Sequence, residues 1–264
     1  MLALAQAAAP EYPFPAKCAG VTAARYAYGI ADGWQITKIA GALKQPRSLA
    51  FDPSGNLIVL QASTGISAHT FGPDGCINST TSLATNRALN HGLALSPDGK
   101  TLYASSATTV WAWDYDMATL KISNQKVLIK GMSPSGHNTR TVAVVPQNPN
   151  LLLAQVGSNS NWDYPSENPA VGRSIVKVFD ISKTPEGGYN YNTQGQVLGY
   201  GMRNEIALTF DPAGNVWGAE NSGDVSESPW GMRNRRKKLN ACRTSDARRA
   251  AVPLIFTSTT RPRS

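Results

Sequence analysis

Four times along the chain an apolar strand runs into a proline-containing turn and returns as a second apolar strand. The copies are SLAFDPSGNLIVLQA at 48–62, GLALSPDGKTLYASS at 92–106, TVAVVPQNPNLLLAQ at 141–155 and IALTFDPAGNVWGAE at 206–220. Proline presets φ for a turn, and in three copies a glycine then supplies the left-handed residue that closes a hairpin. One such hairpin cannot bury its apolar faces alone, so a recurring one implies stacked units around a shared core. The spacing of the turns, near Asp52, Pro97, Pro146 and Asp211, suits four-stranded blades with longer insertions later in the chain. ISAHTF at 66–71, TVWAWDYD at 109–116 and SIVKVFDIS at 174–182 are further strand-like runs, the last two expected to complete blades from outside. No convincing helical period is present. The expected class is therefore all-β, arranged radially as a β-propeller, with a β-sandwich as the alternative. Trp111 and Trp113 alternate on one strand and are expected to pack between blades.

Charge narrows the function. The formal net charge is +8, but residues 225–264 hold ten Lys/Arg against two Asp/Glu, leaving fifteen of each sign in 1–224. The repeats are thus neutral, and the block Arg233, Arg235, Arg236, Lys237 and Lys238 sits in a tail, not on a groove interleaved with aromatics. This argues against nucleic-acid binding. No run approaches the roughly eighteen apolar residues of a membrane span. MLALAQAAA at 1–9 has an apolar stretch and a cleavage-like Ala-Gln-Ala but no basic start, so residues 1–17 are expected to be a clipped leader. Cys18 and Cys76 can pair, and Asn78-Ser79-Thr80 is a glycosylation acceptor. These features lean towards an extracellular protein; buried thiols and a chance sequon are the plainer alternatives.

The residues entering the inner strands carry the chemistry. His91 (LNHGLAL) stands where a propeller's channel opens, and a neutral imidazole there can serve as a general base or simply close a turn. Arg47 (QPRSLAF), Arg140 (GHNTRTVAV, with His137 three residues earlier) and Arg203-Asn204 (GMRNEIALTF) occupy the equivalent points. Cationic or ionisable groups entering all four inner strands suggest an anionic ligand on one axis. For any single arginine a surface salt bridge is the simpler reading. AENSGD at 219–224 offers oxygens of the kind that Ca²⁺ selects, although its spacing is not that of an EF-hand.

PRSLAFDPSGNLIVL, LNHGLALSPDGKTLYASS, HNTRT with NLLLAQVGS, GRSIVKVFDIS and GMRNEIALTFDPAGNVWGAENSGD together resemble fungal sorbosone dehydrogenase-like proteins, relatives of bacterial soluble glucose dehydrogenase and fungal pyranose dehydrogenase. The resemblance covers about Cys18 to Asp224. It implies a six-bladed β-propeller, here with about four blades, that binds pyrroloquinoline quinone (PQQ) and Ca²⁺ and oxidises a sugar hydroxyl. By the same resemblance His91 is the catalytic base, and Arg203 and Asn204 contact the cofactor. Arg47 and Arg140 hold its carboxylates, and the carbonyls of Ser222 and Gly223 coordinate the metal. A cytochrome or other electron acceptor would be the redox partner.

Residues 18–224 are thus expected to form a partial quinoprotein propeller, and 225–264 an aberrant basic tail. LIFTSTTRPRS at 254–264 can be encoded so that a shifted frame reads as a family-like segment. Val225-Ser226 and Cys242-Arg243 can encode splice signals, which points to intron read-through. The expectation is a disordered or poorly packed tail and an impaired enzyme. Two other functions compete with this one. A non-catalytic propeller binding carbohydrate or protein would ignore PQQ, and a Ca²⁺-dependent lactonase would need acidic ligands where this chain has basic ones.

Overall fold

The computed structural model describes residues 17–24, 29–221 and the backbone of 254–257. Each repeat folds as the first two strands of a sheet. Blade 1 is β1 (Pro46–Phe51), β2 (Leu57–Gln61), β3 (Gly65–Phe71) and β4 (Ile77–Thr85), in that order. Blade 2 is β5 (Leu89–Leu95), β6 (Thr101–Ser106), β7 (Val110–Asp116) and β8 (Lys121–Lys130). Blade 3 is β9 (Val142–Val144), β10 (Leu151–Val156), β11 (Ile175–Asp180) and, outermost, β13 (Gln196–Tyr200). The two-residue β12 (Tyr189–Asn190) crosses over to pair in parallel with β8. Blade 4 has β14 (Glu205–Phe210) and β15 (Val216–Glu220). Its third strand, β16 (Leu254–Thr257), runs parallel to β15, whereas the third strands of blades 1–3 are antiparallel to their neighbours. The only helical elements among the described residues are three single 3₁₀ turns.

Three apolar clusters order the blades. Ile58, Leu60, Ile66 and Ala68 of blade 1 meet Leu102, Ala104, Trp113 and Tyr115 of blade 2. Tyr103, Val110 and Ile129 of blade 2 meet Val142, Val144, Leu152 and Phe179 of blade 3. Ala143, Val145, Leu153 and Val176 of blade 3 meet Val216 of blade 4. The period-two pleat does this sorting: Leu152 and Leu153 are adjacent, yet face opposite blades. Trp113, with Trp111 against it, packs at the blade 1–2 interface as expected.

The Asp-Pro-X-Gly-Asn turns are built alike. Asp52 accepts from the Ser54 and Asn56 amides and from the Asn56 side chain, as Asp211 does from the Asn215 amide and side chain. Tyr115 of blade 2 also donates to Asp52 at 2.8 Å, fastening the two blades. Cys18 and Cys76 form a disulfide across 58 residues. The ring does not close: Leu49 and Phe51 on β1 and Ile206 on β14 are exposed at 66%, 54% and 37%, on the inner strands of the two end blades.

Candidate active site

The inner strands β1, β5, β9 and β14 all start at one end of the sheets, so the residues leading into them gather at one mouth. His91 is buried, with 6% exposure, at the start of β5. Its Nε2 lies 2.9 Å from the Ile206 carbonyl on blade 4 and its Nδ1 lies 3.4 Å from Nη2 of Arg47 on blade 1. A carbonyl can only accept, so Nε2 carries the proton and Nδ1 keeps a lone pair towards the guanidinium. Ser48 Oγ donates to the His91 carbonyl at 2.5 Å and fixes the backbone beneath it. Burial holds the His91 pKa below its ordinary value; the Ile206 bond opposes this, and the Arg47 charge adds to it. His91 is therefore neutral at pH 7, with its basic atom facing a cation.

Gly92 shows why the next residue has no side chain. A Cβ there would stand 2.2 Å from the Arg140 carbonyl and 2.5 Å from Ser105 Oγ. Ser105 Oγ donates to that carbonyl at 2.6 Å and accepts from the Gly92 amide at 2.9 Å, joining β5 to the start of β9.

Arg140 departs from the sequence expectation. It has no exposed surface, and its guanidinium donates to the carbonyls of Ala107 (3.0 Å), His137 (2.6 Å), Thr139 (2.7 Å) and Ser133. Four backbone acceptors engage all three of its nitrogens, so no fork is left to grip a ligand's carboxylate. Arg140 organises the 133–140 loop instead. Desolvation brings its pKa down to about 10, which still leaves it charged at neutral pH.

Arg203 lies on the rim. Its Nε (3.1 Å) and Nη2 both donate to Asn161 Oδ1, and Nη1 donates to the Asn221 carbonyl at 2.8 Å. Asn204 is buried and accepts from Thr139 Oγ1 at 2.7 Å, tying β14 to the Arg140 loop. Beside it Glu205 is wholly buried, and its carbonyl accepts from Thr141 Oγ1 at 2.6 Å. The structure thus brings Arg47, His91 and blade 4 together, and sets Arg203 and Asn204 beside the mouth. The four basic groups do not all converge. Ser222 and Gly223, read as metal ligands, lie outside the described residues. Among the described residues no three His, Cys, Asp or Glu side chains gather as a metal site.

Sequence reasoning missed Ser48, Asn161 and Asn90. Asn90 Nδ2 donates to the Asn138 carbonyl at 2.7 Å, while its Oδ1 is buried without a partner among the described residues. For PQQ, a tricarboxylate, Arg47 fits as an exposed cation at the mouth; Arg140 does not, and Arg203 has all three guanidinium nitrogens engaged by Asn161 and the Asn221 carbonyl. For Ca²⁺, the described residues supply no ligand set.

Four sheets packed face to face in chain order, with polar residues gathered where their inner strands begin, define a β-propeller with its site at the channel mouth. The chain belongs to the TrAA12-like family, whose model matches residues 28–236 and so ends within the basic segment. It is 38% identical over 208 residues to a PQQ-dependent pyranose dehydrogenase of Coprinopsis cinerea, covering 78% of this chain and 29% of that protein. The holo form of a Coprinopsis cinerea pyranose dehydrogenase PQQ domain superposes with a TM-score of 0.77 at 38% identity, over 80% of this chain and 52% of the domain. A calcium structure of a Trichoderma reesei enzyme of carbohydrate-active family AA12 gives a TM-score of 0.69 at 34% identity, covering 74% and 50% of the two chains. The chain spans about half the length of these solved relatives, or less than a third of the full-length dehydrogenase.

Proposed function

We propose that this chain carries part of the active site of a PQQ-dependent sugar oxidoreductase, acting on the anomeric or primary hydroxyl of a sugar or sugar aldehyde. The observation that carries the reading is the neutral, tautomer-fixed His91 facing Arg47 at the propeller mouth. PQQ, when bound, supplies the two-electron acceptor for the sugar carbon. Arg47 would hold a carboxylate by charge-assisted hydrogen bonds, with Arg203 contacting the cofactor from the rim. An anion taking up Arg47 frees His91 Nδ1 to accept a hydroxyl proton. The Nε2–H bond to Ile206 keeps the ring oriented and stabilises the imidazolium that results. A calcium structure exists for the Trichoderma reesei relative, and the resemblance of AENSGD at 219–224 to the family's loop would put Ca²⁺ on the carbonyls of Ser222 and Gly223.

The cation-rich mouth and the kinship to PQQ-dependent enzymes support this over a purely carbohydrate- or protein-binding propeller. An extracellular setting suits the Cys18–Cys76 disulfide, and a cytochrome or other acceptor would reoxidise the cofactor. The test is dye reduction by the full chain with PQQ, Ca²⁺ and D-glucose, alongside His91→Ala. Slow reduction abolished in the variant supports the reading; reduction that survives in His91→Ala removes His91 as the base. No spectral response to PQQ at all favours the binding propeller.

A further inference from the structure

The outer edges of blades 1 and 2 are finished differently. β8 on blade 2 is partly covered by β12, whose Tyr189 and Asn190 pair with Ile129 and Lys130. β4 ends the blade 1 sheet, with no further strand beside it among the described residues. The later part of β4 turns inward, where Leu83 and Ala84 pack against the blade 1–2 core. Its earlier part does not: Asn78, Ser79 and Thr80 are all exposed. Such an edge presents unpaired backbone amides and carbonyls, a template on which another strand can pair.

These three residues are also the only Asn-X-Ser/Thr triplet in the chain. Their side chains are not equivalent. Ser79 Oγ lies 2.7 Å from Thr70 Oγ1, and Thr80 Oγ1 lies 2.9 Å from Nδ1 of the buried His69. Both hydroxyls are thus engaged by β3. Asn78 is the extra residue of a β-bulge: Phe71 pairs with Ile77 and Thr70 with Ser79, so no residue of β3 stands opposite it. A bulge interrupts regular pairing and re-aims the side chain it carries. Two residues earlier, Cys76 closes the disulfide to Cys18. A disulfide belongs to an oxidising, secretory compartment, which is also where N-glycans are attached, so one short stretch carries two independent marks of it.

We propose that Asn78 carries an N-linked glycan that covers the free edge of blade 1 and bars a second strand from pairing with β4. In the transfer, Asn78 Nδ2 bonds to C1 of the N-acetylglucosamine of a lipid-diphosphate-linked oligosaccharide. The bond from C1 to the phosphate oxygen breaks, the lipid diphosphate leaves and Nδ2 gives up one proton. The folded chain must then leave room for the product, and an exposed bulge on an edge strand does so. The proposal rests on the extracellular setting and is independent of the quinone chemistry.

The test is a peptide mass map of the full chain, secreted from yeast behind a signal sequence and digested with trypsin without reduction. Peptide 48–87 holds Asn78 and Cys76, and peptide 18–25 holds Cys18, so one map reads the glycan and the disulfide together. The expected result is a disulfide-linked pair bearing one glycan, which peptide N-glycosidase removes while converting Asn78 to aspartate. Thr80→Ser keeps the triplet and a hydroxyl for His69 and should retain the glycan; Asn78→Gln should lose it. Asn78→Gln should also self-associate more than the glycosylated chain, read by light scattering. The two forms share every other exposed strand, so a difference belongs to the glycan. Bare Asn78 in a disulfide-linked pair overturns the site and leaves the extracellular setting standing. Bare Asn78 with Cys18 and Cys76 as free thiols overturns both. Equal association of the two forms overturns the covering of the edge.

Discussion

Arg140→Met separates the two roles this arginine could play. Methionine keeps much of the volume but offers no donor, so the carbonyls of Ala107, Ser133, His137 and Thr139 all lose theirs. A lost hydrogen bond to a buried acceptor costs about 1 kcal/mol, and more when the donor was charged. The four acceptors sit in half-buried segments where water can reclaim some of them. The expected loss is therefore about 2–4 kcal/mol, a large share of the roughly 5–15 kcal/mol that holds a domain together. Arg140→Lys keeps the charge but not the planar fork, and should fall between wild type and Arg140→Met. Urea unfolding of the cofactor-free chain, followed by tryptophan fluorescence, reads this directly. A cofactor-free Arg140→Met chain within about 0.5 kcal/mol of wild type refutes the loop-organising role. Unchanged stability with lost PQQ affinity would restore Arg140 as a ligand.

Other perturbations follow from the same contacts. Cys76→Ser opens a 58-residue closure and should cost about 4 kcal/mol by chain entropy, measured as a lowered urea midpoint without reductant. Ile58→Ala at the wholly buried blade 1–2 interface should cost about 2–4 kcal/mol in the same assay. Because the folded pKa of His91 is depressed, the unfolded chain takes up its proton first. Its contribution to stability is therefore intact above the ordinary value of 6.5 and is lost as pH falls through the window below it. Activity should persist below pH 6.5 and fall as pH drops through the depressed value. Arg47→Gln, which removes a depressing charge, should move that acidic limb upward in a pH–rate profile.

The sequence made the repeats legible because each inner hairpin is apolar on both faces and closed by a proline turn. The strand pairs read at 48–62, 92–106, 141–155 and 206–220 coincide with β1–β2, β5–β6, β9–β10 and β14–β15. Outer strands were harder. β8 (KISNQKVLIK) is largely exposed, so it carries no clean apolar alternation. Positions at the mouth were legible as residue types before inner strands, but the directions of their side chains were not. Arg47 and Arg140 look equivalent in sequence, yet one is exposed beside His91 and the other turns inward to four carbonyls. The residue pattern does not mark that difference, because three of the carbonyls turn onto the guanidinium only when the 133–139 loop folds and the fourth comes from distant Ala107. Asn161 gave no signal either: it lies in an irregular connection and matters only because Arg203 folds onto it.

Equilibrium dialysis of PQQ against the full chain and Arg47→Gln tests the site most directly, since it requires neither a complete ring nor turnover. The account predicts saturable binding of one PQQ per chain, weakened about tenfold or more when Arg47 is lost. Absence of saturable binding, or equal binding by wild type and Arg47→Gln, would contradict it.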